Sequence, residues 1–292
     1  MRFGIDLGGT KTEGAILDAE GRAVWRERTP TDATGYEAVL GGVERLYRRM
    51  ARAVDDAPHT LGIGTPGSVS RRTGLLRNSN TTCLNGMPIA RELRVRLGRE
   101  LVIENDANCF ALAEAGAGAG QGHAVVFGVI MGTGCGGGIV LDGKVHRGLQ
   151  SIAGEWGHTV IDPSGPRCYC GARGCVETFI SGSGLENRYA EHAGSPRSVD
   201  AIVAAWRGGE AAATATMDDF FARFGQALAN LIAVLDPDVV VLGGGLSNID
   251  ELYRRGVDEV RRRVFSDALE TPIVKHRLGD SAGVIGAALV GV

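Results

Sequence analysis

No apolar run in this chain approaches the roughly 18 residues that a membrane-spanning helix requires, and the first residues enter a strand pattern at once, without a charged and apolar leader. Together these absences predict a cytoplasmic protein with no membrane partner. An excess of positive charge is missing too. With 31 Lys and Arg against 34 Asp and Glu, the net charge of -3 offers no general attraction for nucleic acid. A local basic cluster such as Arg254, Arg255 and Arg261 to Arg263 reads as a solvated helix face. Nor is there a disulfide framework: of six cysteines three are clustered, while Cys83, Cys109 and Cys135 are scattered in apolar or glycine-rich settings, as reduced thiols are. What the chain has in quantity is glycine, 45 residues gathered at a few turns instead of spread along a linker. Its 292 residues, 44% of them hydrophobic, are enough for one large domain or two ordinary ones.

The densest chemistry lies between Gly154 and Glu177, GEWGHTVIDPSGPRCYCGARGCVE. His158, Cys168, Cys170 and Cys175 form a Cys3His set suited to zinc, and glycines 165, 171 and 174 let the loop fold back on itself. Four protein ligands close a tetrahedral site, so the metal would brace the loop while the flanking Glu155 and Glu177 point elsewhere. The bland alternative is three reduced thiols in a loop. Against it, so glycine- and proline-rich a segment offers little apolar surface to hold thiols in place.

Arg2 to Leu7 and Thr12 to Leu17 read as a hairpin whose tip is Gly8, Gly9, Thr10 and Lys11. Such a tip presents backbone N–H groups to a phosphate, with Asp6 at the strand end where a metal on that phosphate would lie. It is not a Walker loop, and an ordinary hairpin turn is the alternative. The pattern returns, however. FGIDLGGTKTEGAILD from Phe3 aligns without a gap on FGVIMGTGCGGGIVLD from Phe127, with Ile130 in place of Asp6. An internal repeat of this kind predicts two related lobes, with only the first bringing a carboxylate to the metal. Gly132, Gly134 and Gly137 satisfy G-x-G-x-x-G, yet the residues that follow are strand-like, which excludes a Rossmann reading.

Elsewhere, Val39, Val43, Leu46 and Met50 mark a helix over 35–54, and Leu61 to Thr65 a strand ending at Pro66-Gly67. The polar stretch Asn78 to Thr82 is either turn chemistry or a sugar-facing surface. Leu101 to Ile103 is a strand leading into Asn105 and Asp106 at a helix start. Either Asn105 or Asp106 is then simply an N-cap, or Asp106 is a general base for an attacking hydroxyl. Helices are expected over 179–192, 199–206, 217–235, 249–264 and 282–290, with a buried strand over 239–242 and a third glycine tip at Gly243, Gly244 and Gly245.

DLGGTK from Asp6, GTPG from Gly64, NDAN from Asn105, GTGCGGG from Gly132, EWGH from Glu155, CYCGARGCVE from Cys168 and LGGG from Leu242 occur in an order that resembles the ROK sugar kinases along nearly the whole chain. The resemblance implies an α/β, two-lobed actin-like ATPase fold, ribonuclease H-like in each lobe, with a cleft between the lobes. A small lobe would span 1–117, with the helix over 281–292 packing back on it, and a large lobe 118–280. It further implies that Asp106 is the catalytic base and that Gly67, Asn80, Asn105, Glu155, His158 and Glu177 hold the sugar. ATP would lie on Asp6, Gly8, Gly9, Thr10 and Lys11, on Gly132, Thr133 and Gly134, and on Gly243 to Gly245. Mg2+ would accompany the nucleotide, and His158 would bind structural Zn2+ through one nitrogen while the other donates to the sugar. Within the family, NSNTTCLNG, EWGH and ETFISGSG look most like bacterial fructokinases that also take mannose, acting on the 6-hydroxyl as homodimers. Cys83, where those look to carry an aromatic residue, is a departure. N-acetylglucosamine kinases, which tend to carry Asp where this chain has Glu177, and glucokinases are the alternatives. A sugar-sensing regulator is the alternative of another class; the strand pattern from Arg2 and the presence of both Asp6 and Asp106 weigh against it.

Overall fold

The computed structural model describes residues 1–291. In chain order its first elements are β1 (Arg2–Leu7), β2 (Lys11–Leu17), β3 (Ala23–Pro30), α1 (Tyr36–Arg52), β4 (Thr60–Thr65), β5 (Ser68–Val69), β6 (Leu76–Arg77), α2 (Ile89–Leu97), β7 (Val102–Asn105) and α3 (Asp106–Ala117). There follow β8 (Val125–Met131), β9 (Cys135–Leu141), β10 (Lys144–Val145), α4 (Glu177–Ile180), α5 (Gly182–Ala193), α6 (Val199–Arg207), α7 (Ala211–Leu235), β11 (Val239–Gly243), α8 (Arg255–Arg261), β12 (Ile273–Lys275) and α9 (Ala282–Val290). No helix among the described residues is long and apolar enough to cross a membrane.

The described chain divides into two compact units: residues 1–117, 143–153 and 278–291, and residues 118–142 with 154–277. The first contains a sheet ordered β3-β2-β1-β4-β7, with β1 antiparallel to β2 and parallel to β4. In the second, β9, β8, β11 and β12 lie in that order, with β8 antiparallel to β9 and parallel to β11. The internal repeat is therefore a repeat of topology, and β2 and β9 occupy equivalent positions in its two copies. As β9 is a strand, the G-x-G-x-x-G over residues 132–137 does not open a helix.

In the first unit α1 buries Val39, Val43, Leu46 and Met50 against Phe3, Ile5 and Ile16. The terminal helix α9 lies on β1, β4 and α3, and glycine makes that approach possible. A Cβ at Gly62 would sit 1.9 Å from the carbonyl oxygen of Ala287, and one at Gly286 would sit 1.8 Å from that of Cys109. Gly62→Ala must push helix and sheet apart, so a loss of about 1–3 kcal/mol or more is expected in urea unfolding. An unchanged midpoint would mean that α9 is not docked in solution.

Four sequence expectations need correction. Residues 143–153 belong with the first unit and not with the large lobe, because Arg147 Nε bonds the buried Glu104 at 2.5 Å and Arg77 donates to the carbonyl of Gln150 at 2.5 Å. The helix expected over 179–192 is broken at Ser181, whose hydroxyl accepts from Gly184 N–H at 2.9 Å and starts α5 afresh. The helix expected over 249–264 is shorter: a 3-10 turn covers Asp250–Tyr253 and α8 is confined to Arg255–Arg261. There the hydroxyls of Ser247 and Tyr253 bond the carbonyls of Gly244 and Ser247, competing with helical hydrogen bonding. Finally β3 and α2 were not expected at all, since half-exposed polar strands and short charged helices carry weak periodicity. Among the arginines near α8, Arg255 pairs with Asp218, Arg261 with Asp258, and Arg262 and Arg263 with Glu259.

Candidate active site

The first glycine tip is well braced. Gly8 N–H donates to Lys11 O at 2.9 Å, Thr31 Oγ1 donates to Gly8 O at 2.8 Å, and Thr12 shares a 2.7 Å hydrogen bond with Thr31. Gly9, Thr10 and Lys11 are exposed at its end. Asp6 lies at the foot of the tip, with its carboxylate crowded by α9: a Cβ on Gly283 would be 2.5 Å from Oδ2. Burial, then the charges of Asp106 and Glu13, push its pKa up to about 7. Glu13 is itself neutralised by Arg26 at 2.5 Å and Arg28 at 2.9 Å. Asp6 and Asp106 thus form an acidic pair that a divalent cation such as Mg2+ would relieve, and hard oxygen donors fit that ion.

The raised value has a sign that can be tested. Below its unfolded value of 3.8 the Asp6 carboxyl is protonated in both states; between 3.8 and about 7 the folded protein keeps a proton that the unfolded chain releases. Stability contributed by that proton is present at low pH and lost as pH rises through about 7. Asp6→Asn should therefore be more stable than wild type at pH 8, with the difference shrinking toward pH 4, in nucleotide-free urea titrations. Equal stability at both pH values would show Asp6 to be well solvated.

Asp106 opens α3, but it is Asn105 that caps the helix. Asn105 Oδ1 accepts from Ala107 N–H at 2.9 Å and from Asn108 N–H at 3.2 Å, while its amide donates to Gly67 O at 3.2 Å. Asp106 Oδ1 accepts from the adjacent Ala107 N–H at 2.8 Å. Beneath them Glu104, 6% exposed, accepts from Asn105 N–H at 3.0 Å and from Asn108 Nδ2 at 2.9 Å, besides Arg147. Sequence reasoning missed this brace, since Arg147 is remote in sequence. Gly67 has φ +80, and its α-carbon faces Arg77 O, so no other residue fits there. Asn80 is exposed in the same unit, beyond the buried Ser79.

In the second unit the EWGH turn rests on β9. Trp156 is buried edge-on to Phe127 and donates Nε1–H to Gly136 O at 3.1 Å, which fixes Glu155 and His158 on either side. The ligand atoms of His158, Cys168, Cys170 and Cys175 lie within 4.8 Å of one another. Cys168 Sγ is 3.6 Å from His158 Nδ1, and Cys170 Sγ is 3.6 Å from Cys175 Sγ. Tetrahedral zinc with ordinary bond lengths would space its ligands by about 3.5–3.8 Å, so this donor set fits the ion. The far nitrogen of His158, Nε2, is bonded to the hydroxyl of the exposed Tyr169 at 3.0 Å, so a sugar would have to share or displace that contact. Glu177 opens α4 and accepts from Cys135 N–H at 2.9 Å, tying it to the second glycine tip.

That tip and the third one line a pocket of about 270 Å³ with Gly132, Thr133 and Gly245 on its wall. Gly182 N–H holds Gly132 O at 2.7 Å, and Ser183 N–H holds Thr133 O at 3.3 Å. Gly244, at φ +78, lies so close to Met131 O that a Cβ would be 2.4 Å away. Sequence reasoning missed Ser183, Glu186 and Asp200, which also line the pocket. The SGSG run before α5 was the available signal, since small residues at a helix start admit a ligand.

The ROK family model matches residues 2–291. The chain belongs to the ROK family. It is 39% identical over 299 residues to the N-acetyl-D-glucosamine kinase of Pasteurella multocida, an alignment covering 99% of this chain and 98% of that one. Among solved structures it resembles a ROK hexokinase from Thermus thermophilus with TM-score 0.89 and 35% identity, covering 99% of this chain and 96% of that one. It also resembles a ROK glucokinase from Streptomyces griseus in complex with glucose and AMPPNP, at TM-score 0.80 and 29% identity, covering 99% and 98%. This chain is a sugar kinase of the family with its two-lobed actin-like α/β fold. The fructokinase branch expected from sequence is not the one named by these relatives, which are N-acetylglucosamine kinases at the level of curated sequence.

Proposed function

We propose that this ROK protein is an ATP-dependent N-acetylglucosamine kinase that phosphorylates the 6-hydroxyl of its sugar. The observation carrying the choice of sugar is the 39% identity, along nearly the full length of both chains, with N-acetyl-D-glucosamine kinases. In this reading Asp106, at the first position of α3 beside the capping Asn105, accepts the proton of the attacking hydroxyl. Gly67, Asn80, Asn105, Glu155, His158 and Glu177 hold the sugar. The tip at Gly8 to Lys11 binds phosphate, and Gly132 to Gly134 with Gly243 to Gly245 receive the rest of ATP, for which the glycine-lined pocket supports the assignment. Mg2+ beside Asp6 would neutralise phosphate charge. Zn2+ on His158, Cys168, Cys170 and Cys175 would fix the imidazole. A homodimer in the cytoplasm completes the proposal.

Fructose, with mannose, is the second reading, favoured by Glu177 at the position where the N-acetylglucosamine kinases were expected to carry Asp. ADP release with Mg·ATP, compared across N-acetylglucosamine, fructose, mannose and glucose against a sugar-free baseline, separates the two. The highest kcat/KM is expected for N-acetylglucosamine. A larger value for fructose would transfer the assignment, and no stimulation by any sugar would favour a sugar-sensing regulator.

A further inference from the structure

Thr81 stands apart from the residues already given a role. It lies in the polar stretch over 78–82, is only 7% exposed, and its hydroxyl has no hydrogen-bond partner among the described residues. Its backbone is held firmly: Thr81 N–H donates to Ser79 Oγ at 3.1 Å, and Thr81 O accepts from Leu84 N–H at 3.0 Å. The side chain is therefore delivered to one place, and that place is the phosphate tip of the same unit. A Cβ on Gly9 would meet Thr81 Oγ1 at 3.2 Å. Thr65 and Ser68 also have buried hydroxyls without partners, but neither is the neighbour of the tip.

A buried hydroxyl left unpaired is costly, and folded proteins retain few of them. Here it is held against an exposed glycine turn whose own Gly8 N–H and Gly8 O are already bonded within the protein. We propose that Thr81 is a further catalytic residue, its Oγ–H donating to a nonbridging oxygen of the phosphoryl group that ATP transfers. This rests on the phosphotransferase reading above. A neutral donor suits the position, since a hydroxyl stabilises an anionic oxygen without adding charge. The methyl group of threonine fixes the rotamer, so that the hydroxyl is oriented before the nucleotide arrives.

Thr81→Val removes the hydroxyl at nearly constant shape, and Thr81→Ser keeps it. Calorimetric affinities for Mg·AMPPNP and Mg·ADP are measured for each, together with kcat and KM on N-acetylglucosamine. For Thr81→Val the expectation is about 10- to 100-fold weaker Mg·AMPPNP binding and a similar fall in kcat, the worth of one hydrogen bond to a charged group. Mg·ADP affinity and sugar KM should stay near wild type, and Thr81→Ser should restore the triphosphate preference. An unchanged ratio of AMPPNP to ADP affinity in Thr81→Val overturns the proposal. So does a rise in sugar KM alone, which would give the hydroxyl to the sugar, or an equal loss of both nucleotides with a lowered melting temperature, which would make it structural. If wild type phosphorylates no sugar, it is the kinase reading that fails, and the AMPPNP to ADP ratio still decides the role of Thr81.

Discussion

Asp106→Asn is expected to bind sugar with nearly wild-type affinity while phosphoryl transfer slows by about 10²- to 10⁴-fold, the usual contribution of a general base. Two features make this substitution clean. Asn105 supplies the cap of α3, and an asparagine oxygen in place of the Asp106 carboxylate can keep the bond to Ala107 N–H. Removing the charge also withdraws one of the influences that raise Asp6, so the Asp6 carboxyl should titrate lower in the variant. Sugar affinity by calorimetry and single-turnover rates with Mg·ATP are the measurements. Turnover retained within a few-fold would remove Asp106 as base and leave an Asp6-bound cation to orient an otherwise unassisted hydroxyl.

Loss of the metal should strike the sugar and spare the nucleotide. Cys175 is fully buried, and its Sγ lies 3.6 Å from that of Cys170 and 3.5 Å from the carbonyl of His158, so Cys175→Ser alters the least replaceable donor. Zinc content by elemental analysis is expected to fall from one equivalent toward zero. His158 then loses its orientation, and since misplacement by about 1 Å can cost about 100-fold, kcat/KM for sugar should fall by that order. Mg·ADP affinity should change little, because the pocket of Gly132, Thr133 and Gly245 is held by Gly182 and Ser183 and not by the metal loop. A strong chelator applied to wild type should reproduce the effect, and zinc should reverse it. Unaltered sugar kinetics in metal-free protein would confine the cluster to a role in stability.

How much of this was legible in one dimension depended on the range of the interaction concerned. The repeat beginning at Phe3 and Phe127 and the zinc-type spacing from His158 to Cys175 are local patterns, and each folds as the unit its residue types require. A helix cap at Asn105 or Asp106 followed from a strand running into an NDAN start, and the fold assigned it to Asn105. Glycine placement likewise announced the tips, because only a few backbone geometries exclude a Cβ. NSNTTCLNG and Glu177 pointed to fructose, whereas the similar curated proteins are N-acetylglucosamine kinases; Glu177 also bonds Cys135 N–H, so its identity answers partly to the second tip and not to the substrate alone.

Other features depend on residues far apart in sequence meeting in space. The Glu104–Arg147 brace, the docking of α9 against Gly62 and Gly286, the hydroxyl of Tyr169 on His158 Nε2, and the nearness of Thr81 to Gly9 leave no periodic trace. Type and spacing can specify a turn, a cap or a metal cage, since each is closed by neighbours along the chain. Which side chain is left unpaired, which carboxylate is crowded and which helix covers a strand are fixed by packing between distant segments, and only the folded molecule holds that information.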